Sequence, residues 1–245
     1  MDPGPVDARF DGFPGYTLGG WIAGRVASLL GDATEVRLLR PFRSGRHLVL
    51  ERTAEGARCS SDGENVAEGR AWSGSVEPPR APGFALAHRA STLDRPVHDH
   101  PFPSCYCCGP GRPDGDGLRI FSDPIAPGVL AAVWTPHPAH CDPRGQATGE
   151  TLWSASDCPA LWALMHAEPP GSERHVVTGT LRLRLLHPVV SGEPHLVLSW
   201  KMGESGRKLE AGVAFLAADG SLCAVGMQVA VLAPGGVPLR VARAQ

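Results

Sequence analysis

The chain repeats itself, and the repeat limits what it can fold into more than any other feature. Residues 37–45 read RLLRPFRSG and residues 184–192 read RLLHPVVSG, identical at six of nine positions, and HLVL follows at 47–50 and again at 195–198. DGENVAEG from Asp62 is answered by DGSLCAVG from Asp219. An apolar segment with helical spacing precedes each block, at 18–30 and 152–165. One supersecondary unit written twice implies two similar folding units rather than two unrelated domains.

Residues 176–186, 195–202, 209–217 and 222–232 are rich in β formers and separated by turn residues, so they are read as strands. Between its second strand and its Asp-Gly turn the first unit has eleven residues (51–61) against twenty (199–218) in the second, which predicts a trimmed middle hairpin. A helix followed by consecutive antiparallel strands is an α+β arrangement in which the sheet curls around the helix. Two such units are expected to join their sheets edge to edge as a pseudo-dimer, which also covers edge strands. The boundaries drawn are 1–75 for a degenerate first unit, 76–104 for a Pro/Gly-rich linker laid over the surface and 105–245 for the second unit. The latter is expected to open with a hairpin of GLRIF (117–121) and VLAAVW (129–134).

Composition removes several classes of function. The net charge of −2 with interspersed signs leaves no basic stripe for a nucleic acid backbone. No run of about eighteen apolar residues offers a membrane span, and MDPGPVDARF lacks the features of a signal peptide, so a cytoplasmic protein is expected. Seven cysteines, an odd number without small-scaffold spacing, fit reduced thiols.

The segment GETLWSASDCPALWALM (149–165) carries one charge between Leu152 and Met165, that of Asp157. Its apolar positions run nearly all round the helix, so a sheet should wrap it. A carboxylate enclosed there is costly unless donors hold it or a reaction uses it, so Asp157 is read either as a general base or as a capping or structural acid. Pro159 should bend the helix just beyond it.

These features resemble the hotdog fold, and specifically the double-hotdog acyl-CoA thioesterase II type. Ala155-Ser156-Asp157 matches the segment that supplies that family's catalytic Asp, Thr178 stands ten residues before Pro188 as the family Thr stands before its bend, and Gln228 lies four residues after Ala224 in the last long strand. CYCCGPGRPDGDGLRIF (105–121) is similar to the opening of single-hotdog thioesterases related to those of phenylacetate degradation, whose usual His-Gly-Gly before the helix is here Thr148-Gly149-Glu150. The resemblance implies an active site in the second copy that hydrolyses an acyl-CoA or acyl-carrier-protein thioester. It implies no cofactor beyond the coenzyme A of the substrate, and a homodimer of double units. Asp157 would be the base and Thr178 and Gln228 would fix the water, against the plainer readings of a β-branched strand residue and a solvated edge residue. A hotdog enzyme of dehydration, isomerisation or acyl transfer, or a non-catalytic acyl-thioester-binding protein, remains open.

Thioester hydrolysis also requires a donor for the oxyanion. The free amides at the start of the central helix, at Gly149, Glu150 and Thr151, are assigned that task. Arg207 and Lys208, after Gly206 at a hairpin turn, are candidates for coenzyme A phosphates or simply a charged turn. Trp153, Trp162 and Trp200 line an acyl tunnel or fill the core. Cys105, Cys107 and Cys108 with His98, His100, His137, His140 or Cys141 could assemble a zinc site. Cys-x-Cys-Cys lacks a two-residue spacer on both arms and Cys-Gly-Pro recurs in a non-metal fold, so no metal is expected. Cys158 is read as a buried structural thiol.

Overall fold

The structure is a computed structural model that describes residues 4–90, 100–167, 175–233 and 237–238. In chain order its elements are β1 (Asp11–Phe13), β2 (Tyr16–Thr17), α1 (Gly19–Ala27), β3 (Ala33–Leu38), β4 (Val49–Thr53), β5 (Gly56–Ser61), β6 (Glu64–Ala71), α2 (Phe84–Ala90), β7 (Asp123–Ala126), β8 (Val129–Trp134), α3 (Gly149–His166), β9 (His175–Leu185), β10 (His195–Ser205), β11 (Lys208–Leu216), β12 (Leu222–Leu232) and β13 (Val237–Pro238). β1 and β2 form a small separate sheet. The other strands make one sheet in the order β4-β5-β6-β3-β9-β12-β11-β10-β8-β7, with β13 also paired to β9.

The repeat is visible in that order. Outward from the middle, the first copy runs β3, β6, β5, β4 and the second β9, β12, β11, β10. The seam is an antiparallel pairing of β3 with β9, from Ala33 opposite Arg184 to Arg37 opposite Thr180. The expected edge-to-edge union is therefore what forms, and it gives each copy's otherwise open strand a hydrogen-bonding partner. The trimmed hairpin is the short β4–β5 pair, Thr53 opposite Gly56. Asp62, in the equivalent Asp-Gly turn, takes φ 50°, which Asp tolerates better than most residues.

Both long helices lie on one face of the sheet. α3 runs unbroken through Pro159 and is buried along most of its length. The main core joins its Leu152, Trp153, Ala155, Leu164 and Met165 to inward residues of the strands such as Leu181, Leu209, Val213 and Phe215. A second core lies on the opposite face, where Leu196, Leu198, Trp200, Ala214 and Val225 are covered by Val76, Ala87, Trp72 and Phe84. The residues expected to be a surface connector thus include helix α2 and act as a lid, which explains why β10 is apolar at consecutive positions rather than alternate ones.

Two expectations fail here. GLRIF is not a strand: Leu118 and Ile120 donate their N–H groups to the carbonyls of Tyr106 and Cys107, and Arg119 takes φ 55°, so the partner of β8 is the later segment 123–126. Trp200 faces away from α3, its ring packed on Gly212, where any Cβ would lie 2.2 Å from it, and so it lines no space between helix and sheet. Among the described residues no helix is long and apolar enough to cross a membrane.

Candidate active site

The site is built where α1 of the first copy meets α3 of the second. A Cβ on Gly20 would lie 2.4 Å from the Trp153 carbonyl oxygen, and one on Gly24 would lie 2.7 Å from Glu150 Cα. Glycine inside a helix costs about 1 kcal/mol relative to alanine, and here it lets two helix backbones touch. Gly20 is in the first turn of α1, where N–H groups have no intrahelical acceptor, and the cap position holds Leu18, whose side chain makes no cap bond. Asp157 supplies the missing acceptor: Gly20 N donates to its Oδ2 at 2.7 Å. The carboxylate therefore also sits at the positive end of the α1 dipole.

The other oxygen faces the sheet. Thr178 Oγ1 donates to Asp157 Oδ1 at 3.0 Å, Gln228 Nε2 donates to the same oxygen at 2.8 Å, and Gln228 Nε2 lies 2.6 Å from Thr178 Oγ1. Thr178 reaches this face because of an irregularity in β9. Gln228 stands opposite Leu181 and Val229 opposite Thr180, but Ala230 stands opposite Thr178, which leaves Gly179 as the extra residue. A one-residue bulge inverts the side-chain alternation, so Thr178 points to the helices although it is three positions from the inward Leu181.

Asp157 is 3% exposed and Gln228 fully buried, whereas Thr178 is half-buried. Burial pushes the Asp157 carboxyl up to about 6, against the pull of the Gly20, Thr178 and Gln228 donors toward the ionised form. Three of its roughly four lone-pair positions are taken, two on Oδ1 and one on Oδ2. Gln228 Oε1 is buried and has no hydrogen-bond partner among the described residues. Gly19 stands beside the same carboxylate, a Cβ on it falling 3.2 Å from Asp157 Oδ2 and 3.7 Å from Thr178 Cβ.

Comparison with solved structures fits this doubled architecture. The tesB protein of Mycobacterium avium subspecies paratuberculosis superposes with a TM-score of 0.59 at 12% identity, over 94% of this chain and 91% of that one. A protein from Novosphingobium aromaticivorans described as a thioesterase gives 0.52 at 15% identity, over 94% of each chain. The fold is a double hotdog. No family model matches the chain, and no curated protein matches it in sequence.

Within the double hotdog, the remaining predicted site residues lie apart from the triad. Gly149 and Glu150 begin α3, eight and seven residues before Asp157, which places them roughly 10–12 Å along the helix from the carboxylate. The Thr151 amide is bound by the Thr148 hydroxyl at 3.2 Å. The amides expected to polarise the thioester are thus too far away to act at Asp157. Glu150 is instead paired with Arg25 at 3.0 Å and, with Arg9, Trp21, Tyr106 and His140, lines a cavity of about 250 Å³ at that end of the helix pair. Trp153 is buried in the main core. Arg207, at the β10–β11 turn, gives its guanidinium to the Leu232 carbonyl at 2.8 and 3.1 Å, and Lys208 beside it is exposed; neither touches the triad.

Among the described residues, none of the histidines weighed as zinc ligands joins the group of Cys105, Cys108 and Cys158. His140 bonds Tyr106 Oη and the Gly117 carbonyl, burial lowering its pKa, and the His137 ring accepts from the Ala139 amide. His98 lies outside the described residues. Cys158 is buried in the main core as expected, with Cys105, Cys107 and Cys108 beside it. Sequence reasoning missed the Gly20 amide altogether; the signal for it was the Gly20 and Gly24 pair at helical spacing.

Proposed function

We propose that this double hotdog hydrolyses acyl thioesters carried on coenzyme A or an acyl carrier protein. The observation that carries this reading is the state of the Asp157 carboxylate: it is enclosed, held from both sides by donors, and left with one acceptor position on Oδ2, while the Oε1 of its partner Gln228 is buried without a hydrogen-bond partner among the described residues. A water that donates one hydrogen to Gln228 Oε1 and the other to Asp157 is oriented and activated at once. Its oxygen attacks the thioester carbonyl, Asp157 takes the proton, and collapse of the tetrahedral intermediate expels the thiolate, which leaves as the thiol with that proton. Water and thioester thus become carboxylic acid and thiol.

The Gly19 amide, at the start of α1 beside Asp157 and Thr178 and without a partner among the described residues, is our candidate for the oxyanion donor. The cavity near Arg9 and Arg25 suits an anionic or aromatic part of the thiol carrier. Thiol release from a panel of acyl-CoAs, compared between wild type and Asp157→Asn, tests the assignment. Turnover that survives the substitution refutes it.

A second reading follows from the bond to Gly20, which makes Asp157 a cap for α1 as well. If capping is its whole role, the chain binds acyl-CoA without releasing thiol, and the substitution lowers stability alone.

A further inference from the structure

Four cysteines play no part in the proposed hydrolysis, and the fold gathers them next to it. The Sγ atoms of Cys105, Cys108 and Cys158 all lie within 4.8 Å of one another, and Cys105 and Cys158 are 3.6 Å apart. The three residues are buried, and Cys107 is in contact with Cys158. Two come from a Cys-x-x-Cys-Gly turn and the third from the middle of α3, 53 positions further on, so their convergence is tertiary.

The turn is shaped to present a sulfur. Gly109 N donates to the Cys105 carbonyl at 2.9 Å, and a Cβ on Gly109 would fall 2.4 Å from that oxygen, so only glycine closes the turn. The turn leaves the Cys105 and Cys108 sulfurs crowded against that of Cys158, all within 4.8 Å of one another. Neutral thiols gain little from such crowding, since sulfur is a weak donor and a weak acceptor. Tetrahedral zinc with Zn–S bonds of about 2.3 Å holds its sulfurs about 3.8 Å apart, close to the observed separation.

We propose that Cys105, Cys108 and Cys158 bind one zinc ion. All-sulfur donors select a thiophilic cation over magnesium or calcium. On binding, each thiol gives its proton to solvent and forms a sulfur–zinc bond; three protons leave and nothing is oxidised. The expectation of a metal-free chain rested on the spacing within Cys-x-Cys-Cys and on the recurrence of Cys-Gly-Pro in a non-metal fold, neither of which can show that α3 delivers a third sulfur. The ion would pin the 105–109 turn to α3 one residue from Asp157, a structural role that stands whether or not the hydrolase reading does.

The test uses the full chain, purified with a phosphine reductant and no chelator. Elemental analysis should find about one zinc per chain, falling about tenfold or more in Cys108→Ser and in Cys158→Ala. If those variants do not fold, the wild type decides: stripped with a chelator and refilled with cobalt(II), it should show the thiolate charge-transfer bands and the visible spectrum of a tetrahedral ion. A folded, fully reduced wild type that takes up neither zinc nor cobalt overturns the proposal. So does uptake of copper(I) alone, or a Cys105–Cys158 disulfide in the isolated protein with no metal uptake after its reduction. Thiol release measured on the same samples reports on the hydrolase separately.

Discussion

Gly20 of the first copy donates its backbone N–H to Oδ2 of Asp157 in the second, 2.7 Å across the contact between the two helices. The first copy has no carboxylate in its own helix, yet it provides the amide that orients the acid of the other. Gly20→Ala should therefore act on the site without altering any side chain in it. The added methyl would meet backbone at Trp153 rather than a movable side chain, so the helices must part. We expect a stability loss of about 1–3 kcal/mol in urea unfolding and a fall in thiol release larger than the lost folded fraction explains. A rate per folded molecule equal to wild type would show that this bond does not serve the chemistry.

Asp157→Asn keeps the size of the side chain and removes the base. The expected loss in kcat is about 10²–10⁴-fold, measured by thiol release at saturating substrate. Gln228→Ala and Thr178→Val should each lower kcat by less, because Asp157 keeps the other donor and the Gly20 amide. If Gln228→Ala matches Asp157→Asn in kcat while its unfolding curve is unchanged, Gln228 does more than orient the water.

Of the three side chains of this constellation, Asp157 was legible in the residues themselves, as one acid in an apolar helix, whereas Thr178 and Gln228 were singled out through the resemblance to double-hotdog thioesterases, by their distances from Pro188 and Ala224. The seam was legible because the repeat includes both strands that form it. What could not be read were contacts made by atoms that every residue has. The Gly20 amide carries no side-chain signature, and a distance of 137 positions hides its partner. Arg119 with φ 55° turned an apparent strand into an irregular segment paired with the Cys107 region, a competition between local alternation and tertiary hydrogen bonding that spacing does not show. Trp200 was equally ambiguous, since a strand buried on both faces does not reveal which face a ring occupies.

The seam itself predicts an acid sensitivity. Glu35 on β3 accepts from Arg182 on β9 at 2.5 Å and from Arg70 on β6 at 2.6 Å, tying the two copies together beside their shared ladder. Burial alone would raise the Glu35 pKa; the bonds and charges of the two arginines outweigh it and hold the carboxyl below its ordinary value of 4.5. A group depressed in the folded state stabilises fully above its unfolded pKa, and that contribution disappears as pH falls through the folded value. Stability of the wild type should thus decline below about pH 4.5 more steeply than that of Glu35→Gln, while at neutral pH the variant should be weaker by about 1–3 kcal/mol. Parallel urea midpoints for the two proteins from neutral to acid pH would remove Glu35 from the account.

The bulge at Gly179 offers the most direct trial of how the site is assembled. Upstream of it Val176 and Thr178 face the helices, and downstream Leu181 and Leu183 do, a change of parity that one extra residue allows. Deleting Gly179 restores strict alternation against β12. Every other residue keeps its present partner on β12, so Thr178 still faces Asp157 and Val177 still faces outward. The expected result is a folded chain with a stability change of about 1–3 kcal/mol and a kcat well above that of Thr178→Val, because the hydroxyl stays on the helix face. Thiol release and urea unfolding of the two variants side by side make the comparison. A kcat in the deletion as low as that of Thr178→Val would mean that β9 does not keep Thr178 opposite Ala230 once Gly179 is gone, and the extra residue would then be needed to hold the hydroxyl at Asp157.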